Sequence, residues 1–166
     1  MKKIHIVIAV IIIALAIVGA YYFISSNSKA NVGNSTFKLP NGFKVNGNQT
    51  ATKSASMVKI DNKKTLLKVA EYKKPVALNK AVKSFKKHKK GSVIETTNFD
   101  AGNTNIKAKK VVCRSNNTNN TNNTKEKVSV CYFVTKGNST YYILSKSNNK
   151  SIDAIVREII LSIDKK

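Results

Sequence analysis

From Ile6 to Ile24 the chain runs nineteen residues without a charge, a proline or a strongly polar side chain. At about 1.5 Å per residue, a helix of that length spans roughly 28 Å, close to the hydrocarbon thickness of a bilayer. Lys2 and Lys3 precede the run, and Tyr21, Tyr22 and Phe23 close it. That arrangement predicts a signal anchor or transmembrane helix over 1–24, its amino end cytoplasmic and its aromatic rings at the far interface. The protein is then expected at the cell membrane as a single-pass chain with an extracytoplasmic carboxy-terminal part. A cleaved signal peptide is the competing reading, with Val18-Gly19-Ala20 and Ser28-Lys29-Ala30 as cleavage sites. Its apolar region is ordinarily about 7–15 residues, which the run exceeds.

Beyond the run, Ser25–Ser35 is rich in Ser and Asn and predicts a flexible linker over 25–35. Residues 36–166 form the predicted domain, long enough for one core. Phe37-Lys38-Leu39 alternates as a strand into the Pro40-Asn41-Gly42 turn, and Phe43 and Val45 continue the alternation. Ser54–Ile60 and Thr65–Tyr72 read as paired strands. Leu78, Ala81, Val82 and Phe85 fall at helical spacing, with Asn79 as the expected N-cap. Val93–Thr97, Ile106–Arg114, Lys127–Thr135 and Thr140–Ser145 read as further strands. Ile152, Ile155, Val156, Ile159, Ile160 and Ile163 form a second stripe behind a Ser151 cap.

Two amphipathic helices each require an apolar surface to cover. The predicted fold class is therefore α+β, an antiparallel β-sheet with two amphipathic helices packed on it, preceded by one transmembrane helix. The run Phe37-Lys38-Leu39-Pro40-Asn41-Gly42-Phe43, followed by two paired strands, a helix, a long hairpin and a terminal helix, resembles the PsbP-like α/β/α domain. It is also similar to small anchored surface proteins of methanogenic archaea. The resemblance covers roughly residues 36–164. It implies a non-enzymatic binding or accessory module and assigns no functional residue.

Charge is the second constraint. Thirty basic residues against eight acidic ones give a formal net charge of +22. An AT-rich genome inflates Lys, and only Arg114 and Arg157 stand beside 28 lysines. It does not deplete Asp and Glu, whose codons are equally AT-compatible, so the imbalance points to a surface property. Lys73 and Lys74 lead into the first helix, and Lys80, Lys83, Lys86, Lys87, Lys89 and Lys90 lie on it or at its end. These eight are the expected anion-binding residues, with Lys107, Lys109 and Lys110 adding to the same field. Lysine is a compact, hydrated charge suited to diffuse attraction. The expected partners are anionic cell-envelope polymers or lipid headgroups. Nucleic acid is a third and poorer reading, given the scarcity of Arg and the expected extracytoplasmic location. The alternative is a structural or accessory envelope protein that binds an unspecified protein partner.

Cys113 and Cys131 flank a low-complexity loop, and on the oxidising side of a membrane such a pair is expected to form a disulfide. Strands pairing so that Cys113 faces Cys131 would allow it, closing a loop worth roughly 3 kcal/mol in the chain-entropy model. The loop repeats Asn-Asn-Thr three times, which makes Asn116, Asn119 and Asn122 expected glycosylation acceptors. His88 is the one histidine beyond His5. With Glu71, Glu95, Asp100 and Glu126 showing no paired spacing, no catalytic site, metal site or cofactor is expected.

Overall fold

The computed structural model describes residues 11–16, 28–46, 54–59, 65–88, 92–116 and 126–166. Residues 11–16 are helical and are termed α1. The described chain continues as β1 (Lys29–Val32), β2 (Ser35–Lys38), β3 (Phe43–Val45), β4 (Ser54–Lys59) and β5 (Thr65–Glu71). Then come α2 (Leu78–His88), β6 (Ser92–Asn98), β7 (Lys107–Asn116), β8 (Glu126–Lys136), β9 (Ser139–Ser145), α3 (Lys150–Ser162) and β10 (Asp164–Lys165). Seven strands form an antiparallel sheet in the order β3-β4-β5-β9-β8-β7-β6, and β1-β2-β10 form a second, three-stranded sheet.

The centre of the large sheet explains the architecture. In β8, Val130, Cys131, Tyr132, Phe133 and Val134 are all buried. Five consecutive buried residues on a strand mean that both faces of the sheet are covered. Val130, Tyr132 and Val134 join Val112 in the larger core, under α3 and the small sheet. Cys131 and Phe133 join Val111 and Cys113 in a smaller core under α2. On that side, Ala81 and Val82 of α2 are buried, and the Phe85 and Phe133 rings meet edge to face at 5.3 Å. On the other side, α3 buries Ile152, Val156, Ile159 and Ile160.

The expected α+β class is corrected by this arrangement. The described residues are mostly β, with ten strands in two sheets and three short helical segments, rather than one sheet carrying two helices. The extra sheet comes from segments whose composition gives no strand signal. The stretch taken for a linker contains β1, where Ala30 and Val32 are fully buried. Its hairpin turn uses Gly33 at φ +58°, a conformation open to glycine. The Asn34 amide then donates to Glu71 Oε2 at 2.9 Å, tying the hairpin to β5. The last residues, too short to read as a strand, pair with β2 as Asp164↔Thr36 and Lys165↔Ser35.

The expected transmembrane helix is also corrected. Among the described residues no helix is long and apolar enough to cross a membrane. The described part of the apolar run is the six-residue α1, roughly 9 Å long at the helical rise, and the rest of Ile6–Ile24 lies outside the described residues. The single-pass anchor and the cell-membrane location derived from it are therefore unsupported. Two cap assignments shift as well. Leu78 begins α2, so Asn79 lies inside its first turn. Asn149, not Ser151, caps α3, its Oδ1 accepting from the Ile152 amide at 2.9 Å.

Candidate anion-binding face

The period-two alternation of a strand assigns every charged side chain to one face or the other. Lys44 lies between Phe43 and Val45, which face the larger core, and Lys68 lies between Leu67 and Val69, which do the same. Both lysines are thus on the α2 side of the sheet. In β7, Lys109 is registered with Phe133 of the smaller core, and Lys107 shares its parity. Around α2, the apolar positions Leu78, Ala81, Val82 and Phe85 turn toward the sheet, leaving Lys80, Lys83, Lys86 and Lys87 exposed on the opposite side. Lys73 and Lys74, in the connection from β5, are exposed too. Ten lysines therefore belong to the α2 side.

The acidic residues go elsewhere. Six have described side chains: Glu71, Glu95, Asp100, Asp153, Glu158 and Asp164. Glu71 is registered with Tyr141 and Glu95 with Val112, both on the larger-core face. Asp153 and Glu158 are on α3, Asp164 is in the small sheet, and Asp100 lies beside Arg157 of α3 at 3.9 Å. None of the six is on the α2 side. Charge in the described structure is thus divided by face: lysine without carboxylate on one, both signs mixed on the other.

Within α2, Lys80/Lys83, Lys83/Lys86 and Lys83/Lys87 are like-charged neighbours one turn apart. Each such pair costs a few tenths of a kcal/mol. Lys86 and Lys87 recover part of this by lying in the last turn, at the negative end of the helix dipole. His88 is exposed, and its Nδ1 lies 2.8 Å from the Ser84 carbonyl of its own helix.

A cleft of about 510 Å³ opens on this face between the first turn of α2 and the end of the β6–β7 pair. Its walls include Leu78, Asn79, Asn98, Phe99, Lys107 and Lys109. Asn98 and Lys109 are direct cross-strand partners, so their polar groups project side by side.

Of the lysines expected from the sequence, Lys73, Lys74, Lys80, Lys83, Lys86 and Lys87 are brought together, while Lys89 and Lys90 lie outside the described residues. Lys110 does not join them. It is on the opposite face, where its Nζ donates to both oxygens of Asp153 at 2.8 and 2.9 Å. Lys107 and Lys109, expected to add to the field, do join it; Lys44 and Lys68 were not among the lysines expected, and strand alternation around Phe43 and Leu67 is the signal that places them.

The expected disulfide is corrected. Cys113 and Cys131 are both buried and are not joined as a disulfide. The hairpin register pairs Val111 with Cys131 and Cys113 with Ser129. The cysteines are therefore diagonal neighbours on the α2 side, at a spacing of about 7–8 Å for such positions, beyond the reach of an S–S bond. Asn116 ends β7, and Asn119 and Asn122 lie outside the described residues. Among the described residues no three His, Cys, Asp or Glu side chains converge as metal ligands.

Burial shifts three tyrosines. Tyr72 and Tyr142, whose rings meet edge to face at 5.6 Å, are both held above the usual phenol range, chiefly by desolvation. Tyr132 is raised further, first by desolvation and then by its hydrogen bond to Asp153 Oδ1 at 2.5 Å. Lys136 is lowered by desolvation, against the attraction of Asp164.

No protein-family model matches this chain, and no curated protein does. A crystal structure from Bacteroides thetaiotaomicron VPI-5482 at 1.50 Å resolution is similar in fold, with a TM-score of 0.50 and 9% sequence identity. The match covers 85% of this chain and 49% of that one, so the chain spans about half the length of its structural neighbour.

Proposed function

We propose that the protein is a non-enzymatic binding module whose α2 face holds an anionic polymer by multivalent attraction. One observation carries the reading: the ten lysines of the α2 side share that side with none of the six described carboxylates. A solvated charged surface would be expected to intersperse the two signs, as the α3 side does. On the α2 side the positive charge lacks internal neutralisation and the helix bears its own repulsion, which a bound polyanion relieves. Lysine suits this mode, since an ammonium attracts any nearby anion without the planar geometry an Arg fork demands.

The test is retention of the full-length protein on immobilised polyphosphate and polygalacturonate at low salt and at about 1 M salt, where screening shortens from about 10 Å at 0.1 M to about 3 Å. Retention is expected at low salt and lost at high salt. Changing Lys80, Lys83, Lys86 and Lys87 together to Gln should weaken it at least tenfold, since each basic residue near an anionic surface contributes up to about 1 kcal/mol. Retention indifferent to both salt and the four changes would refute the reading. Retention on anionic vesicles but on neither polymer would move the assignment to a lipid surface.

A further inference from the structure

The cleft beside α2 has features that a diffuse lysine surface lacks. We propose that it is a subsite for one anionic unit of sugar size, a compact phosphate or carboxylate carried on a pyranose-like ring. The inference rests on the polyanion reading of the α2 face and adds to it a place where a single unit is recognised.

Three elements converge there. Asn79 comes from the first turn of α2, which contains no acidic residue. Asn98 comes from the end of β6, and Lys107 and Lys109 from the start of β7. Two ammonium groups and two carboxamides thus line one concavity, and no carboxylate lines it. The rest of the lining is apolar, Ala77 and Leu78 at the helix and, at the sheet end, Phe99, Ile106 and Ala108, whose side chains pack with the larger core. Cationic and amide donors beside an apolar wall match a ligand with a charged group and a ring body. The volume, about 510 Å³, is within the range of small-molecule sites and too small for a polymer segment of several units.

Lys109 supplies the most direct pointer. It is half-buried, so its ammonium has lost part of its hydration. Lys110, its neighbour in sequence, is compensated by Asp153, and Lys136 by the carbonyls of Leu161 and Ile163. Among the described residues no ion pair or hydrogen bond reaches the Lys109 ammonium, and the residue lines the cleft. An anion in the cleft would be its missing partner.

The experiment follows backbone amide shifts of the full-length protein on titration with glucose 6-phosphate, glucuronate and uncharged glucose. Either charged sugar should shift Leu78, Asn98 and Lys109 saturably while glucose leaves them in place; which anion binds separates phosphate from carboxylate. Lys107→Gln with Lys109→Gln should raise the dissociation constant at least about tenfold, the equivalent of one charge-assisted hydrogen bond. Asn79→Trp, which fills the cleft from the other wall, should abolish the shifts, whereas Lys29→Gln with Lys38→Gln, an equal loss of charge on the small sheet, should leave them within about twofold. Equal response to glucose, or equal loss in the Lys29/Lys38 variant, would overturn the subsite. Polymer retention without any saturable shift at the cleft would overturn the subsite alone. Loss of polymer retention itself would overturn the reading beneath it.

Discussion

Asp153 ties α3 to two strands of the large sheet. It accepts from Lys110 Nζ and from the Tyr132 hydroxyl, and it lies in the first turn of α3, where a carboxylate is favoured by the helix dipole. Its partners are layered on rings: the Lys110 ammonium is 5.7 Å from the Tyr132 centroid, and Phe99 meets Tyr132 edge to face at 5.0 Å. Asp153→Ala would strand a half-buried ammonium and a buried phenol. We expect a loss of about 2–3 kcal/mol in chemical unfolding, with Asp153→Asn recovering part of it. Little of this was visible in the sequence, because Lys110 and Asp153 are separated by 43 positions and meet only after the sheet forms. Parity alone would have placed Lys110 opposite Lys109.

The tyrosines set an alkaline limit. A phenol whose folded pKa is raised stays protonated after its unfolded counterpart has ionised, near pH 10. Its stabilising effect is complete below that point and is lost as pH rises through the folded value. Lys136, with a folded pKa lowered chiefly by desolvation, works in the opposite direction just below the ordinary lysine range. Comparison with Tyr132→Phe isolates the tyrosine contribution. Urea midpoints from about pH 9 to about pH 11 should show the unmodified protein losing stability relative to the variant only above pH 10.

At the scale of elements, the periodic segments were legible and the short ones were not. The apolar stripes of α2 and α3 and the alternation in β2 to β9 follow from side chains that meet a core. β1 and β10 are four and two residues long, and their strand character comes from docking on β2. The β7–β8 register was not legible for a different reason. A slip of two residues keeps every side chain on its face, so the apolar pattern accepts both Cys113 opposite Cys131 and Cys113 opposite Ser129. The cap of α3 moved from Ser151 to Asn149 because both can cap, and the position of Ile152 in the core selects the turn. Asn149→Ala should lower stability by about 1 kcal/mol, and Ser151→Ala by a few tenths at most, measured by thermal unfolding. At the other end of α3, Lys136 Nζ donates to the carbonyls of Leu161 and Ile163 at 2.9 and 2.5 Å. A lysine from a neighbouring strand therefore terminates the helix, a role its sequence position beside Gly137 does not advertise.

At the scale of the whole molecule, the seven-stranded sheet separates two surfaces of different charge. The excess of Lys over Asp and Glu was plain in the composition, and the helical lysines could be listed from the sequence. Their isolation from every described carboxylate could not, since it depends on which face each strand residue takes. A chain with lysine gathered on one side and mixed charge on the other has a large electric dipole moment, directed across the sheet. In the field of any anionic object the molecule experiences a torque before it makes contact, and it arrives with α2 leading. Orientation is thereby settled during approach, so that productive collisions become a larger share of all collisions. The small sheet, which starts with β1 at Lys29, is left facing away from that object.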